Sequence, residues 1–244
     1  MSARITLATT ARVLRQLRRD HRTTALLLVV PPLLLALFKY VFAGQEATFE
    51  RVGGPLVGLF PFITMFLVTS IAMLRERTTG TLERLMSLPL AKLDLLVGYG
   101  LAFALVAAVQ ATLTSVVAFE LLGLDTAGPI WLVVAIAIAN AVLGMALGLF
   151  LSAFATSEFQ AVQFMPAFVL PQILLAGLLV PRENMARALE LLSDALPLTY
   201  AYDALARATA GDTGGRFAVD VAIVCGCVLL ALGLGATTLR RRTA

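Results

Sequence analysis

Charge is the first thing this chain has little of. Only 14% of its 244 residues are Asp, Glu, Lys or Arg, while 59% are hydrophobic; a soluble domain carries roughly a quarter charged residues. An ordinary water-facing surface is excluded for most of the chain. Histidine is reduced to His21, and cysteine to Cys225 and Cys227 inside an apolar run. A lone histidine far from a C-x-C pair makes no metal or redox set, so the cysteines read as small residues of a membrane core. No G-x-x-x-x-G-K-[ST] loop, G-x-S-x-G turn or H-E-x-x-H helix occurs. Glu120 and Asp220, the ionisable residues nearest the apolar blocks, sit at block ends, where interfacial placement explains them. The net charge of +4 does not point to nucleic acid, because the basic residues sit at the ends of apolar blocks rather than among aromatics.

What is present is six apolar blocks, approximately 24–43, 56–74, 95–121, 130–154, 164–180 and 217–239. Each approaches or exceeds the roughly 20 residues that a helix needs to cross hydrocarbon. Backbone groups in a bilayer must be satisfied within each segment, so helices are expected, and the short alternating strands of a barrel are absent. The expectation is an all-α integral membrane protein with six transmembrane helices, read as one transmembrane domain over 1–244. Asn140 and Gly144-x-x-x-Gly148 in the fourth block suit close helix packing.

Orientation follows from Lys and Arg at the block ends. Thirteen fall on one side: Arg4, Arg12, Arg15, Arg18, Arg19, Arg22, Arg75, Arg77, Arg84, Lys92 and Arg240 to Arg242. Five fall on the other: Arg51, Arg182, Arg187, Arg207 and Arg216. This bias places both termini in the cytoplasm of a bacterial plasma (inner) membrane protein. Residues 1–22 are too long and too patterned for a signal-peptide n-region and are expected to be retained. Arg12, Arg15, Arg19 and Arg22 share one helical face, with Leu7, Val13, Leu14 and Leu17 opposite. That pattern predicts an amphipathic interfacial helix with arginines toward anionic headgroups.

Two stretches break the hairpin pattern. The first is the charged connection 75–92, RERTTGTLERLMSLPL and its flanks. Gly80 permits a break, Thr79 or Thr81 can cap a new helix, Leu82, Leu85 and Met86 share a face, and Pro89 stops the turn. The second runs from Pro166 to Pro197 and holds Pro166, Pro171, Pro181 and Pro197. It predicts a proline-broken fifth span followed by an outer re-entrant or amphipathic hairpin over 181–203. There Met185, Leu189, Leu192 and Leu196 recur at helical spacing.

The run Arg75-Glu76-Arg77-x-x-Gly80-Thr81-Leu82-Glu83-x-Leu85-x-x-x-Pro89 resembles the signature of ABC type-2 permeases, the membrane subunits of bacterial drug and polysaccharide exporters. Pro166-x-x-x-x-Pro171, Gly177, Pro181 and Pro197-Leu198-Thr199-Tyr200-Ala201-x-Asp203 resemble that family's outer hairpin and its later motif. The likeness extends over essentially the whole chain and is nearest to daunorubicin- and multidrug-resistance-type permeases of actinobacteria. One departure is Ala206, where the family often has Arg; Arg207 follows it.

The resemblance implies a permease subunit of an ATP-driven exporter, non-catalytic, with no cofactor of its own; ATP and Mg belong to a partner ABC ATPase. It implies that 81–88 is a coupling helix docking in that ATPase, with Leu82 and Leu85 in an apolar cleft and Glu83 and Arg84 at its rim. Arg75 and Glu76 would anchor the elbow to the N-terminal helix. It further implies a second permease subunit, identical or a similar paralogue, facing this one in the membrane lipid. The path between them would be lined by Phe62, Thr64, Phe66, Thr69 and Ser70 with Gln160, Gln163, Phe168 and Gln172, suiting an amphiphilic drug, lipid or glycolipid. Two other readings of the residues stand beside it. An ion-coupled carrier would need ionisable residues near the midplane, and the blocks hold essentially none there. A non-transporting membrane assembly protein lacks a positive signature.

Overall fold

The computed structural model describes residues 2–87 and 92–238. Pro89, Leu88 and the arginines at 240–242 lie outside the described residues, as does the side chain of Glu83. The described residues form eleven α-helices: α1 Ala3–Arg19, α2 His21–Val41, α3 Glu46–Thr78, α4 Thr81–Met86, α5 Lys92–Val116, α6 Ile130–Leu151, α7 Glu158–Phe164, α8 Leu170–Leu175, α9 Arg187–Asp194, α10 Pro197–Ala210 and α11 Gly215–Thr238. Five stretches are long and apolar enough to cross a membrane: α2, α3, Asp94–Leu121, Ile130–Phe154 and α11.

The block expected at 164–180 is not a long helix. It is α7, a π-helical turn over Met165–Val169, and α8. Pro166 and Pro171 each lack a backbone N–H and crowd the preceding turn, which accounts for the widened turn between them. The segment starts beside Arg75 at one end of α3, and Ile173 and Ala176 reach Pro55 and Leu59 near its other end. Its eighteen residues, Glu158 to Leu175, rise about 27 Å at helical pitch.

α3 starts ten residues before the block expected at 56–74. Gly53, Gly54 and Pro55 lie inside this helix rather than ending it. Neighbours decide it: a side chain at Gly53 would meet Leu124, and one at Gly54 would meet Thr209. The glycines are contact points for the loop at Leu124 and for the end of α10 at Thr209. The same logic joins α3 to α6, where a Cβ on Gly144 would overlap the Phe62 carbonyl and one on Gly148 the Phe66 carbonyl. Backbone meets backbone at the small-residue pair, and the Thr69 hydroxyl donates to the Met145 carbonyl at 3.2 Å. The core gathers on this pair, with Phe62, Met65 and Phe66 fully buried.

α2 carries Pro31 and Pro32 inside a helix. Pro31 has no N–H to return to the Leu27 carbonyl four residues back. Gln110 of α5 supplies the missing donor, its side-chain amide bonding Leu27 O at 2.7 Å and also the Thr64 hydroxyl. A polar side chain deep in an apolar bundle thereby satisfies a carbonyl that the sequence of α2 leaves open.

Pairings between distant segments fix which helix ends share a side. Ser2 N–H donates to Asp94, Arg12 pairs with Glu76, Arg75 with Glu158, and Arg77 with Thr238. The start of α1, the end of α3, the starts of α5 and α7 and the end of α11 therefore lie at one end of the bundle. At the other end Lys39 lies over the Phe49 ring at 4.9 Å, and Ala127 N–H donates to Thr209 O at 2.8 Å.

Candidate functional site

The charged connection is built at the end of the most enclosed helix. α3 stops at Thr78, where the Thr79 hydroxyl donates to the Arg75 carbonyl at 2.7 Å. Gly80 then turns the chain with φ +71, a left-handed conformation that favours glycine. α4 follows, with Thr81 and Thr79 hydroxyls 3.0 Å apart. The Thr79 hydroxyl thus closes the end of α3.

Glu76 is buried, with Arg12 of α1 contacting both its oxygens at 3.4 Å. Arg12 also bonds the Tyr99 hydroxyl, and its guanidinium lies 5.5 Å from the Tyr99 ring centroid. This three-residue brace ties α1, α3 and α5 together. Arg75 does not join it. It points outward to Glu158 in a two-pronged pair, Nε–Oε1 2.7 Å and Nη2–Oε2 3.0 Å, joining α3 to α7. Both partners are more than half exposed, so the pair fixes geometry more than it adds stability. Beside the brace lies a cavity of about 180 Å³ lined by Val13, Gln16, Asp20, Val68, Arg75 and Glu76 among others. Asp20 accepts from the Thr23 hydroxyl and amide at the start of α2, which holds its carboxyl below the ordinary range.

The leucines of α4 divide. Leu82 is buried in its own chain, Leu85 is half-buried, and Arg84 is exposed. Leu82 thus anchors α4 to the bundle, leaving Leu85 and Arg84 at its surface. α1 also docks differently from its wheel pattern. Thr6, Thr9, Thr10 and Val13 face inward, because Gly98 of α5 lets Thr9 approach closely, and the Thr10 hydroxyl donates to the Gly98 carbonyl at 3.0 Å. Leu7 faces outward.

Of the residues expected along a path, Phe62, Phe66, Thr69 and Ser70 are enclosed within the chain. Thr64 is half-buried, its hydroxyl donating to the Phe60 carbonyl at 3.0 Å. Gln160 belongs to a helix start: its carbonyl accepts from Thr156 N–H at 2.8 Å while the Ser157 hydroxyl accepts from Gln160 N–H. Gln172 is buried, bonding Phe168 O at 2.9 Å and accepting from Leu198 N–H. Gln163 and Phe168 are exposed.

The segment after α8 resolves into a 3₁₀ turn Arg182–Asn184 after Pro181, then α9 and α10. Pro197 opens α10, where its missing N–H costs nothing. Thr199 is fully buried, its hydroxyl donating to the Ser193 carbonyl at 2.8 Å. The Tyr200 hydroxyl donates to Asp194 O at 2.6 Å. Arg182 bridges Asp194 and Asp203, the latter at 3.1 Å, and Arg207 bridges Asp212 at 2.9 Å and Asp220 at 3.1 Å. Burial pushes the Asp203 carboxyl above its ordinary range against the pull of Arg182. The Gly214 amide and Arg207 hold Asp212 below it. On α9 the inward group is Ser193, while Leu189, Leu191 and Leu192 are exposed.

Sequence reasoning missed Tyr99, Asp94, Glu158 and Gln110. A faint signal existed for Glu158, the one charge in a turn that holds no Lys or Arg. Among the described residues no three His, Cys, Asp or Glu side chains are grouped to hold a metal ion.

The sequence model of a family described as "ABC-2 type transporter" matches residues 5–208. The chain is similar to the probable multidrug ABC transporter permease YbhR of Escherichia coli K12, 29% identical over 130 residues. That match covers 53% of this chain and 35% of the relative. It is also similar to ABC transporter G family member 20 of Dictyostelium discoideum, 27% identical over 150 residues, 62% of this chain and 20% of the relative.

Proposed function

The chain belongs to the ABC-2 type transporter family, and on that premise we propose that it is the membrane permease subunit of an ATP-driven exporter, moving an amphiphilic substrate out of a bacterial cytoplasm. ATP and Mg are bound and used on a separate ABC ATPase. The observation that carries this reading is the junction: the most enclosed spanning helix runs directly into a short helix with an exposed Arg84 and a half-buried Leu85. A force applied to α4 crosses the short Thr79–Gly80 turn and reaches the centre of the bundle along α3 and through the Glu76–Arg12–Tyr99 brace.

In this reading α4 is the coupling helix, with Arg75, Glu76, Gly80, Thr81 and Leu82 shaping it, Leu85 and Arg84 meeting the ATPase, and Glu83 and Pro89 completing the motif. Nucleotide shifts the permease between states only to the extent that the ATPase binds one state better. The broken segment α7–α8 is the sixth crossing. Both termini then lie in the cytoplasm, in keeping with the thirteen-to-five bias and with Asp94 and Arg77 holding the two described ends at one side. The chain forms one domain, works beside a second permease subunit, and its outer hairpin 181–203 closes the path from outside. Since Phe62, Phe66, Thr69 and Ser70 are enclosed, the second helix borders the path through Thr64, with Gln163 and Phe168 on the broken segment. Drug-like cargo suits the multidrug name of the bacterial relative; lipid and glycolipid share its amphiphilic chemistry.

The test is co-expression with an ATPase encoded beside this gene. Arg84→Glu and Leu85→Asp are expected to abolish co-purification and substrate-stimulated ATP hydrolysis while the permease still inserts. Intact association in both variants sinks the coupling assignment.

A further inference from the structure

A groove open to the bilayer runs between α1, α2 and α5, with a volume of about 330 Å³. Its walls are Leu14, Leu17, Leu27, Leu28, Val106 and Val109, with Leu105 at the edge. Among the described residues only two polar side chains line it, Arg18 and Thr24, and no carboxylate does. The Thr24 hydroxyl is committed to the Leu17 carbonyl at 2.8 Å. On α5 the groove wall runs from Leu105 to Val109, about 6 Å along the axis.

We propose that this groove binds an anionic glycerophospholipid, one acyl chain along the leucine and valine wall and the headgroup phosphate on Arg18. Arg18, the arginine that lines the groove, has no ion pair among the described residues. The mouth therefore carries uncompensated positive charge at headgroup level, which selects an anionic lipid over a zwitterionic one. Two of its three walls belong to the spanning helices α2 and α5, which a soluble partner does not reach. A second copy of the chain would bring the same arginines against these. Occupancy holds α1 against α5, and because α1 carries Arg12 to Glu76, a bound lipid steadies the junction. The site requires the membrane setting, not the transport reading, and its test uses the permease without ATPase.

The experiment loads the detergent-purified chain with dioleoyl phosphatidylglycerol or dioleoyl phosphatidylcholine and reads retained lipid by native mass spectrometry. Wild type is expected to retain the anionic lipid roughly fivefold better, the scale for one basic residue at an anionic surface. Arg18→Gln brings the ratio near one, and Val106→Trp lowers retention of both lipids. Should Val106→Trp not fold, Val109→Trp at an exposed position replaces it. Arg4→Gln, an exposed arginine of the same helix outside the groove, leaves the preference intact. Equal losses in Arg4→Gln and Arg18→Gln mean diffuse surface charge and overturn the site, as does a preference that survives Arg18→Gln. Displacement of the lipid by inorganic phosphate overturns the acyl-chain half.

Discussion

α3 and α11 are both long apolar helices, yet two-thirds of the most apolar stretch of α3 is buried inside the chain and only 17% of that of α11. Hydropathy does not separate them; what they touch does. α3 is a central post, met by glycines of α6, by Gln110 of α5 through Thr64, and by Arg12 of α1. α11 is a stave, packed on one side and presenting Leu229, Leu230 and Val219 outward. In hydrocarbon there is no hydrophobic drive between helices, so a post must be held by close packing and polar bonds. A helix held this way can transmit movement from one end to the other, which suits the one whose end becomes α4.

The sharpest way to break the contrast is to put the same side chain on both kinds of contact. Gly144→Leu forces a Cβ into the Phe62 carbonyl, and backbone on backbone has no room to yield. A loss exceeding about 3 kcal/mol is expected, beyond ordinary overpacking, seen as collapse of the monodisperse peak in detergent. Gly233→Leu on α11 meets nothing within 4 Å, and its thermal midpoint should match wild type. Equal behaviour of the two variants removes the distinction between post and stave.

The next test separates the two acidic pairs at the α3 end. Removing one partner of a buried ion pair costs about 3–5 kcal/mol, and Arg12 is a third exposed, so Glu76→Gln belongs at the lower end of that range. Arg75→Gln breaks an exposed pair and should cost less than about 1 kcal/mol. Thermal midpoints of the purified variants decide. A cost for Arg75→Gln as large as that for Glu76→Gln contradicts the division of roles between brace and outward clasp.

A smaller effect is expected from Gln110→Leu. It leaves the Leu27 carbonyl without its donor opposite Pro31, a loss of about 1–3 kcal/mol for an unsatisfied buried group. Restoring the α2 donor by Pro31→Ala in the same chain should recover most of the loss. Absence of that rescue, read from a double-mutant comparison of thermal midpoints, sinks the proline-compensation account.

Much of this was legible in sequence because bilayers impose length and polarity on each helix. The charged turn, the glycine break at Gly80 and the proline-broken segment all stand where local chemistry puts them. What the sequence hid is pairwise. Nothing in the sequence shows that Gly53 and Gly54 make room for Leu124 and Thr209. The leucine stripe of α1 looks like its docking face, whereas Gly98 makes the threonine side the closer fit. Leu82 looks free to meet a partner, yet it is taken by its own bundle. Periodicity gives faces; only the neighbours say which face is used.

The last contrast concerns how each helix is tied at the end of the bundle away from α4. Toward that end α3 meets α6 where Gly58 lies against Ala137 and Asn140, a contact with no titratable group. α10 is tied to the Arg182 turn and to α11 by Arg182–Asp203 and Arg207–Asp220. Asp203 sits above the ordinary aspartate value of 3.8 because burial outweighs Arg182. Between that raised value and 3.8 the closed hairpin holds a proton that an opened one has released, so Asp203 makes closure more stable as pH falls through this window. Asp212 has the opposite sign, its share being lost only below 3.8, through its lowered value. Hydrogen exchange of α9 and α10 amides, corrected for intrinsic rates, should therefore slow in wild type as pH falls from neutral toward 3.8. Asp203→Asn should remove most of that slope while leaving exchange in α3 and α6 unchanged. A slope that persists in the variant assigns the titration elsewhere; one that spreads to α3 erases the difference between packed and ion-paired ends.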